Sequence, residues 1–211
     1  MAPVREELLQ ASIGGLTPLT TVDYPGYIAT VVFLRGCSWH CPYCHNESLR
    51  SFQGREGDMS WGEFLAFMDR RRSFVEAVVL SGGEPTRHQE LPQLLQSLRD
   101  RKFKTGLHTA GSNPRRLAEA LPWLSWVGLD IKAPLDQRYD RITGQEQSHR
   151  VVRESLALLM ASGIPYQLRT TRDPQLLSEE DCRDMENQLG EVGAPKTVWQ
   201  ELGRGWTRPS A

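Results

Sequence analysis

The sequence predicts an α/β fold in which a mostly parallel sheet is covered by helices. Two observations carry this expectation. Short apolar, β-branched runs alternate with helical patterns along the chain, as in βα units. The runs are also nearly continuous in apolar residues, as strands buried on both faces are.

Taken in order, Ile28 to Leu34 (IATVVFL) reads as a buried strand that follows the turn signal Asp23-Tyr24-Pro25-Gly26. Ser60 and Glu63 have capping-box spacing and open a helix to about Arg71. Val75 to Leu80 is a second strand and ends at Ser81-Gly82-Gly83; Leu91 to Arg101 is helical. Lys104 to Thr109 is a third strand, and Asn113-Pro114 starts a short helix. Trp126 to Ile131 is a fourth strand, followed by a helix over Ser148 to Ser162 that stops at Gly163. Tyr166 to Thr171 is a fifth strand, Ser178 to Leu189 a capped helix, and Thr197 to Gln200 a sixth strand. About six units are too few for an eight-fold barrel. A curved, incomplete barrel and an open doubly wound sheet both satisfy the count, and both collect ligands at the C-terminal strand ends.

The 211 residues suit one domain, read as spanning 1–211 with its core at about 14–201. With 39% hydrophobic and 24% charged residues the composition is that of a globular protein, and a net charge of -1 provides no bulk field for nucleic acid. No apolar stretch approaches the roughly 20 residues of a membrane helix. Met1 to Gln10 carries Arg5, Glu6 and Glu7 and lacks the basic start and apolar centre of a signal peptide. A cytoplasmic protein, with neither nucleic-acid nor membrane partner, is expected.

Three of the four cysteines, Cys37, Cys41 and Cys44, fall within eight residues with C-x3-C-x2-C spacing. A disulfide framework would be spread more widely. Soft thiolates on one loop suit zinc or an iron–sulfur cluster. Zinc would need a fourth ligand, for which His40 or His45 is available. Three thiolates on a four-iron cluster would leave one iron open, as a catalytic centre requires, whereas a ferredoxin-like carrier uses four cysteines. His88, His108 and His149 lack ligand spacing and read as surface or satisfied core histidines, and Cys182 as an ordinary helix residue.

The cysteine motif CSWHCPYCHN after a first strand, followed by Gly82-Gly83-Glu84-Pro85 after a second, resembles the radical S-adenosylmethionine (radical SAM) enzymes. Together with Asp23-Tyr24-Pro25-Gly26, VVFLRG and LSGGEPT, the chain from about Gly14 to Thr171 resembles one branch, the anaerobic ribonucleoside-triphosphate reductase activating proteins, which are glycyl-radical activases. The resemblance implies a partial (β/α)6 barrel, one 4Fe-4S cluster on Cys37, Cys41 and Cys44, and S-adenosylmethionine chelated to the fourth iron. An electron from flavodoxin or ferredoxin would cleave the sulfonium. The resulting 5′-deoxyadenosyl radical would take hydrogen from a glycine of the reductase.

Under this resemblance Tyr43 lies by the adenine, and Asp130 and Lys132, on one face of a strand end, serve the ribose or carboxylate of the cofactor. Asp23 would contact the partner's glycyl loop. Gly82 and Gly83 allow close backbone approach to a ligand, and Glu84 offers an acceptor to its amino group. Thr109 supplies a contact from its strand end, and Arg169 suits the methionine carboxylate. Trp39 is placed to shield the cluster. Two other readings share these features: a small-molecule radical enzyme such as a 7-carboxy-7-deazaguanine synthase, and a non-catalytic iron–sulfur or zinc module.

Overall fold

The computed structural model describes residues 11–201. The reading of Met1 to Gln10 as free of a signal peptide lies outside the described residues, as do both ends of the 1–211 span. The elements are β1 (Ile13–Thr20), β2 (Ala29–Leu34), α1 (Trp61–Asp69), β3 (Ala77–Gly82), α2 (Leu91–Asp100), β4 (Lys104–Thr109) and α3 (Pro114–Ala120). They continue with β5 (Trp126–Asp130), α4 (Gln137–Thr143), α5 (Ser148–Ala161), β6 (Tyr166–Arg172), α6 (Glu179–Glu191) and β7 (Val198–Glu201).

One sheet runs β1 to β7 in chain order. β1 pairs antiparallel with β2, and β2 through β7 are parallel to their neighbours. Right-handed crossovers that always step the same way put every helix on one side of the sheet. The sheet therefore forms an open, partial barrel with helices outside and a concave face inside.

The two-residue period of the strands sorts the side chains accordingly. Val32 and Leu34, Val78 and Leu80, Leu107, Val127 and Leu129, and Leu168 join helical Trp61, Phe64, Leu94 and Leu156 in the main core. The alternate residues Ala29, Val31, Ala77, Val79 and Trp126 form a second cluster with Tyr24. Continued up the strands, the same inner register carries His108, Asp130, Arg169 and Gln200 to the C-terminal rim.

Two elements escaped the sequence pattern. β1 (IGGLTPLT) contains two glycines and a proline, which mask its strand character. It is an edge strand with register breaks between Ile13 and Gly15 and between Thr17 and Thr20; Pro18 lies within the second, where a missing N–H is tolerated. α4 is short and polar, starts at the Asp136 cap and stops at left-handed Gly144. β3 also begins two residues later than Val75 and runs through Ser81 and Gly82, so part of the expected turn is strand.

A buried ion pair fastens the exit of β2. Arg35 bonds Asp58 through Nε at 2.5 Å and Nη2 at 2.7 Å, and gives Nη1 to the Ser48 carbonyl at 2.8 Å. Asp58 also accepts from Ser12 Oγ and the Arg55 N–H. Arg35 and these donors hold the Asp58 carboxyl well below the usual carboxylate range. A carboxyl lowered in the folded state stabilises the fold above its unfolded pKa and stops doing so as pH falls through the folded one. Stability should thus begin to fall below about pH 4. Asp58→Asn leaves Arg35 buried and unpaired, and should cost about 3–5 kcal/mol in urea unfolding at pH 7. The variant should also lose stability less steeply in acid than the wild type. An unchanged urea midpoint would contradict this role.

Candidate active site

The cysteine loop leaves β2 under tight backbone control. Gly36 N–H donates to the Leu49 carbonyl at 2.7 Å, Cys37 N–H to Arg50 at 3.0 Å and His40 N–H to Thr143 at 2.7 Å. Asn46 Nδ2 donates to the Gly82 carbonyl at 3.1 Å and ties the far end of the loop to β3. Trp39 is buried edge-on against Tyr139 of α4. With its main chain thus engaged, the loop presents Cys37, Cys41 and Cys44 to one cavity of about 270 Å³ at the C-terminal rim. All are free thiols.

Gly82 and Gly83 set the spacing beneath that loop. Gly83 N–H bonds the Leu34 carbonyl and Glu84 N–H the Gly36 carbonyl, each at 2.8 Å. Gly82 has φ +118°, and a Cβ there would lie 2.2 Å from the Leu34 oxygen; at Gly83 one would lie 2.4 Å from the Gly36 oxygen. The close backbone approach at these glycines is thus to the root of the cysteine loop. Glu84 is buried. Its carboxylate accepts from Thr86 N–H and Oγ1, from Thr109 Oγ1 at 2.5 Å and from Ala110 N–H at 2.7 Å. Glu84 and Thr109 thereby lock the ends of β3 and β4 together on the cavity wall.

A charged trio forms another wall. Arg169 donates to Asp130 Oδ1 from Nε at 3.1 Å and Nη2 at 2.8 Å, and Lys132 Nζ lies 3.5 Å from Asp130 Oδ2. Gly128 makes room for this, since a Cβ there would stand 2.9 Å from the Arg169 guanidinium carbon. Burial raises the Asp130 carboxyl, but Arg169 and Lys132 outweigh it and hold the group below its ordinary value. Burial likewise works against the Lys132 charge, yet Tyr43 and Asp130 keep its pKa raised. Lys132 stands over the Tyr43 ring, 5.7 Å from its centroid. The Tyr43 hydroxyl is buried with no hydrogen-bond partner among the described residues.

Burial, followed by the charge of Glu84, pushes the Cys37 thiol up to about 12. Burial also raises Cys41, against which Lys132 acts. Among the described residues no three His, Cys, Asp or Glu side chains converge on a point fit for a single metal ion. Three soft sulfurs around one cavity instead suit a cluster in which each takes its own iron.

The residues expected to serve the cluster, the cofactor and the partner line this cavity: Cys37, Cys41 and Cys44 with Tyr43, Gly82, Gly83, Glu84, Thr109, Asp130, Lys132, Arg169 and Asp23; of the two histidines offered as a fourth zinc ligand, His45 lines it and His40 does not. Cys182 lies on α6, outside it. The sequence reading missed His108, Asn46 and Gln200, which also line it. His108 was readable from the inner register, two residues past Gly106 and beside Gly128 in the neighbouring strand. Asn46 and Gln200 carried no spacing signal.

A family model described as the radical SAM superfamily matches residues 31–185. A protein of Methanocaldococcus jannaschii named as a glycyl-radical enzyme activating enzyme is 28% identical over 183 residues, covering 84% of this chain and 75% of the relative. The pyruvate formate-lyase-activating enzyme of Clostridium pasteurianum is 30% identical over 191 residues, covering 88% of this chain and 79% of its own. Among solved structures, QueE from Escherichia coli has a TM-score of 0.53 at 17% identity, over 92% of this chain and 96% of that one. Streptococcus suis SuiB bound to S-adenosylmethionine has a TM-score of 0.61 at 16% identity, over 83% and 41%. The structural likenesses speak for the fold; the match over most of the sheet and the two activase relatives speak for lineage. The chain belongs to the radical SAM superfamily and, within it, to the glycyl-radical enzyme activating enzymes.

Proposed function

We propose that Cys37, Cys41 and Cys44 hold one 4Fe-4S cluster, that the cavity beside them holds S-adenosylmethionine, and that the protein substrate is anaerobic ribonucleoside-triphosphate reductase. The supporting observation is convergence. Residues from the ends of five successive strands and their loops, separated by more than a hundred positions, line one cavity with the three thiols. When bound and given one electron, the cluster and S-adenosylmethionine together supply a 5′-deoxyadenosyl radical.

The chain's own residues do the rest. Arg169 uses Nε and Nη2 on Asp130, which leaves Nη1 for the methionine carboxylate. Asp130 keeps Arg169 and Lys132 in place, and Lys132 favours ionised Cys41. The buried Tyr43 hydroxyl can donate to a polar atom of the nucleoside. Trp39 closes the cavity against water. Glu84, bonded to Thr86, Thr109 and Ala110, holds the wall rigid, which limits its role toward the amino group to one through the surrounding backbone. Asp23 stands at the cavity with its carboxylate accepting from Thr20 Oγ1 at 2.6 Å, and faces the glycyl loop of the partner. The reductant is flavodoxin or ferredoxin, and the reaction takes place in the cytoplasm. A 7-carboxy-7-deazaguanine synthase of Aquifex aeolicus matches 88 residues, 41% of this chain; the activase relatives cover about twice that span.

Cys37→Ala, Cys41→Ala and Cys44→Ala should each abolish 5′-deoxyadenosine formation by the reconstituted, reduced protein, whereas Cys182→Ala should retain wild-type iron content and turnover. Loss in Cys182→Ala equal to the others would show the ligand set to be wrong. In the metal-free protein, the raised Cys37 thiol should react with iodoacetamide at pH 7 on the order of 100-fold more slowly than an ordinary cysteine. For the same reason cluster loading should strengthen as pH rises, because iron must displace these protons. Peptide mass spectrometry reads the first and iron titration the second. Incubated anaerobically with the reductase, the enzyme should generate a glycyl radical signal. A signal on pyruvate formate-lyase and none on the reductase would transfer the assignment to that partner.

A further inference from the structure

His108 has no part in the chemistry above, yet it is buried on the cavity wall. Its Nε2 lies 2.9 Å from the Asp23 main-chain carbonyl. A carbonyl oxygen only accepts, so Nε2 carries the proton and donates. Burial, reinforced by the neighbouring Arg169 charge, pushes the imidazole down to about 4, which keeps it neutral at pH 7. The ring stands edge-on to Trp126, with centroids 5.5 Å apart.

What His108 grips is the turn after β1. Tyr24, the next residue along, packs on Trp126 with centroids at 5.5 Å. It also lies against Gly106, where a Cβ would come within 3.0 Å of its ring. This turn crosses the concave face. Asp23 lines the reactive cavity above it. Tyr24 lines a separate groove below, with Tyr27, Trp126 and Tyr166. The turn is thus a floor between two compartments, tied to β4 by the His108 hydrogen bond on the cavity side and by Lys104, whose Nζ stands 4.7 Å from the Tyr27 ring centroid, on the groove side.

We propose that His108 is a positioning residue: its Nε2–H to Asp23 carbonyl bond latches the floor of the reactive cavity, so that hydrogen abstraction is confined to the partner's glycine. This rests on the activase reading. A slack floor would leave the cavity open below and move Asp23, so more radicals would be quenched elsewhere while S-adenosylmethionine cleavage itself continued.

The test compares His108→Phe, which removes the donor, with His108→Gln, whose amide can replace it. In His108→Phe, hydrogen exchange over residues 21–27 should quicken about tenfold, as expected for loss of one buried hydrogen bond, with the parallel strands unaffected. Glycyl radical formed per 5′-deoxyadenosine should fall about tenfold by the same bond's loss. His108→Gln should recover both the exchange and the ratio. Unchanged exchange in His108→Phe would overturn the latch. Faster exchange with an unchanged ratio would reduce His108 to a structural residue. If His108→Phe unfolds, His108→Gln with slow exchange and a normal ratio supports the latch, and His108→Gln with the ratio lost refutes it. Wild-type enzyme that makes 5′-deoxyadenosine but no radical on any partner would defeat the activase reading, and the exchange comparison would still decide the latch.

Discussion

The distance between the exits of β2 and β3 governs this molecule. The two main chains meet through the Gly83 and Glu84 N–H groups, bonded to the carbonyls of Leu34 and Gly36 at 2.8 Å. There is no space for a side-chain carbon at either glycine. Because Gly36 immediately precedes Cys37, that contact sets where the first thiol begins. Asn46, bonded to Gly82, returns the end of the same loop to the same place. The cysteine loop is therefore clamped at both ends to one strand terminus. Such support of the ligand-bearing backbone is what holds a site to sub-ångström tolerance.

Electrostatics completes the arrangement. Three ionised sulfurs in a half-buried cavity would be costly alone. Lys132 and Arg169, balanced by a single Asp130, leave an excess of positive charge on one cavity wall that favours ionised Cys41, while Glu84 acts against ionised Cys37. Lys132, Arg169 and Asp130 are tied together firmly enough that none of their charges is buried without a partner. Gly128 and Gly106 look unremarkable in sequence, yet each is small because a neighbour, Arg169 in one case and Tyr24 in the other, lies across it. The inner face of the barrel is thus shaped as much by absent side chains as by present ones.

Much of this was legible in the sequence because the chemistry is concentrated at strand ends. The C-x3-C-x2-C loop and Gly82-Gly83-Glu84 each follow an apolar run, and Asp130 and Lys132 share a face by simple period two. What was illegible depends on tertiary pairing. The role of Glu84 as a tie to Thr109 needs the β3–β4 neighbourhood, which no local pattern encodes. β1 was hidden because its glycines and Pro18 argue against a strand, and only the edge position and the Pro18 irregularity permit it. His108 read as an ordinary core histidine until the strand register brought it beside Gly128 and the Asp23 carbonyl within reach.

The central claim is that three cysteine sulfurs leave one iron free for S-adenosylmethionine. Electron–nuclear double resonance on the reduced, reconstituted enzyme measures this directly, using cofactor labelled with 13C at the methionine carboxylate and 15N at its amino group. Hyperfine coupling of both labels to the cluster is the expected result. A cluster spectrum indifferent to added cofactor, or one coupled to a histidine nitrogen of the protein, would contradict it.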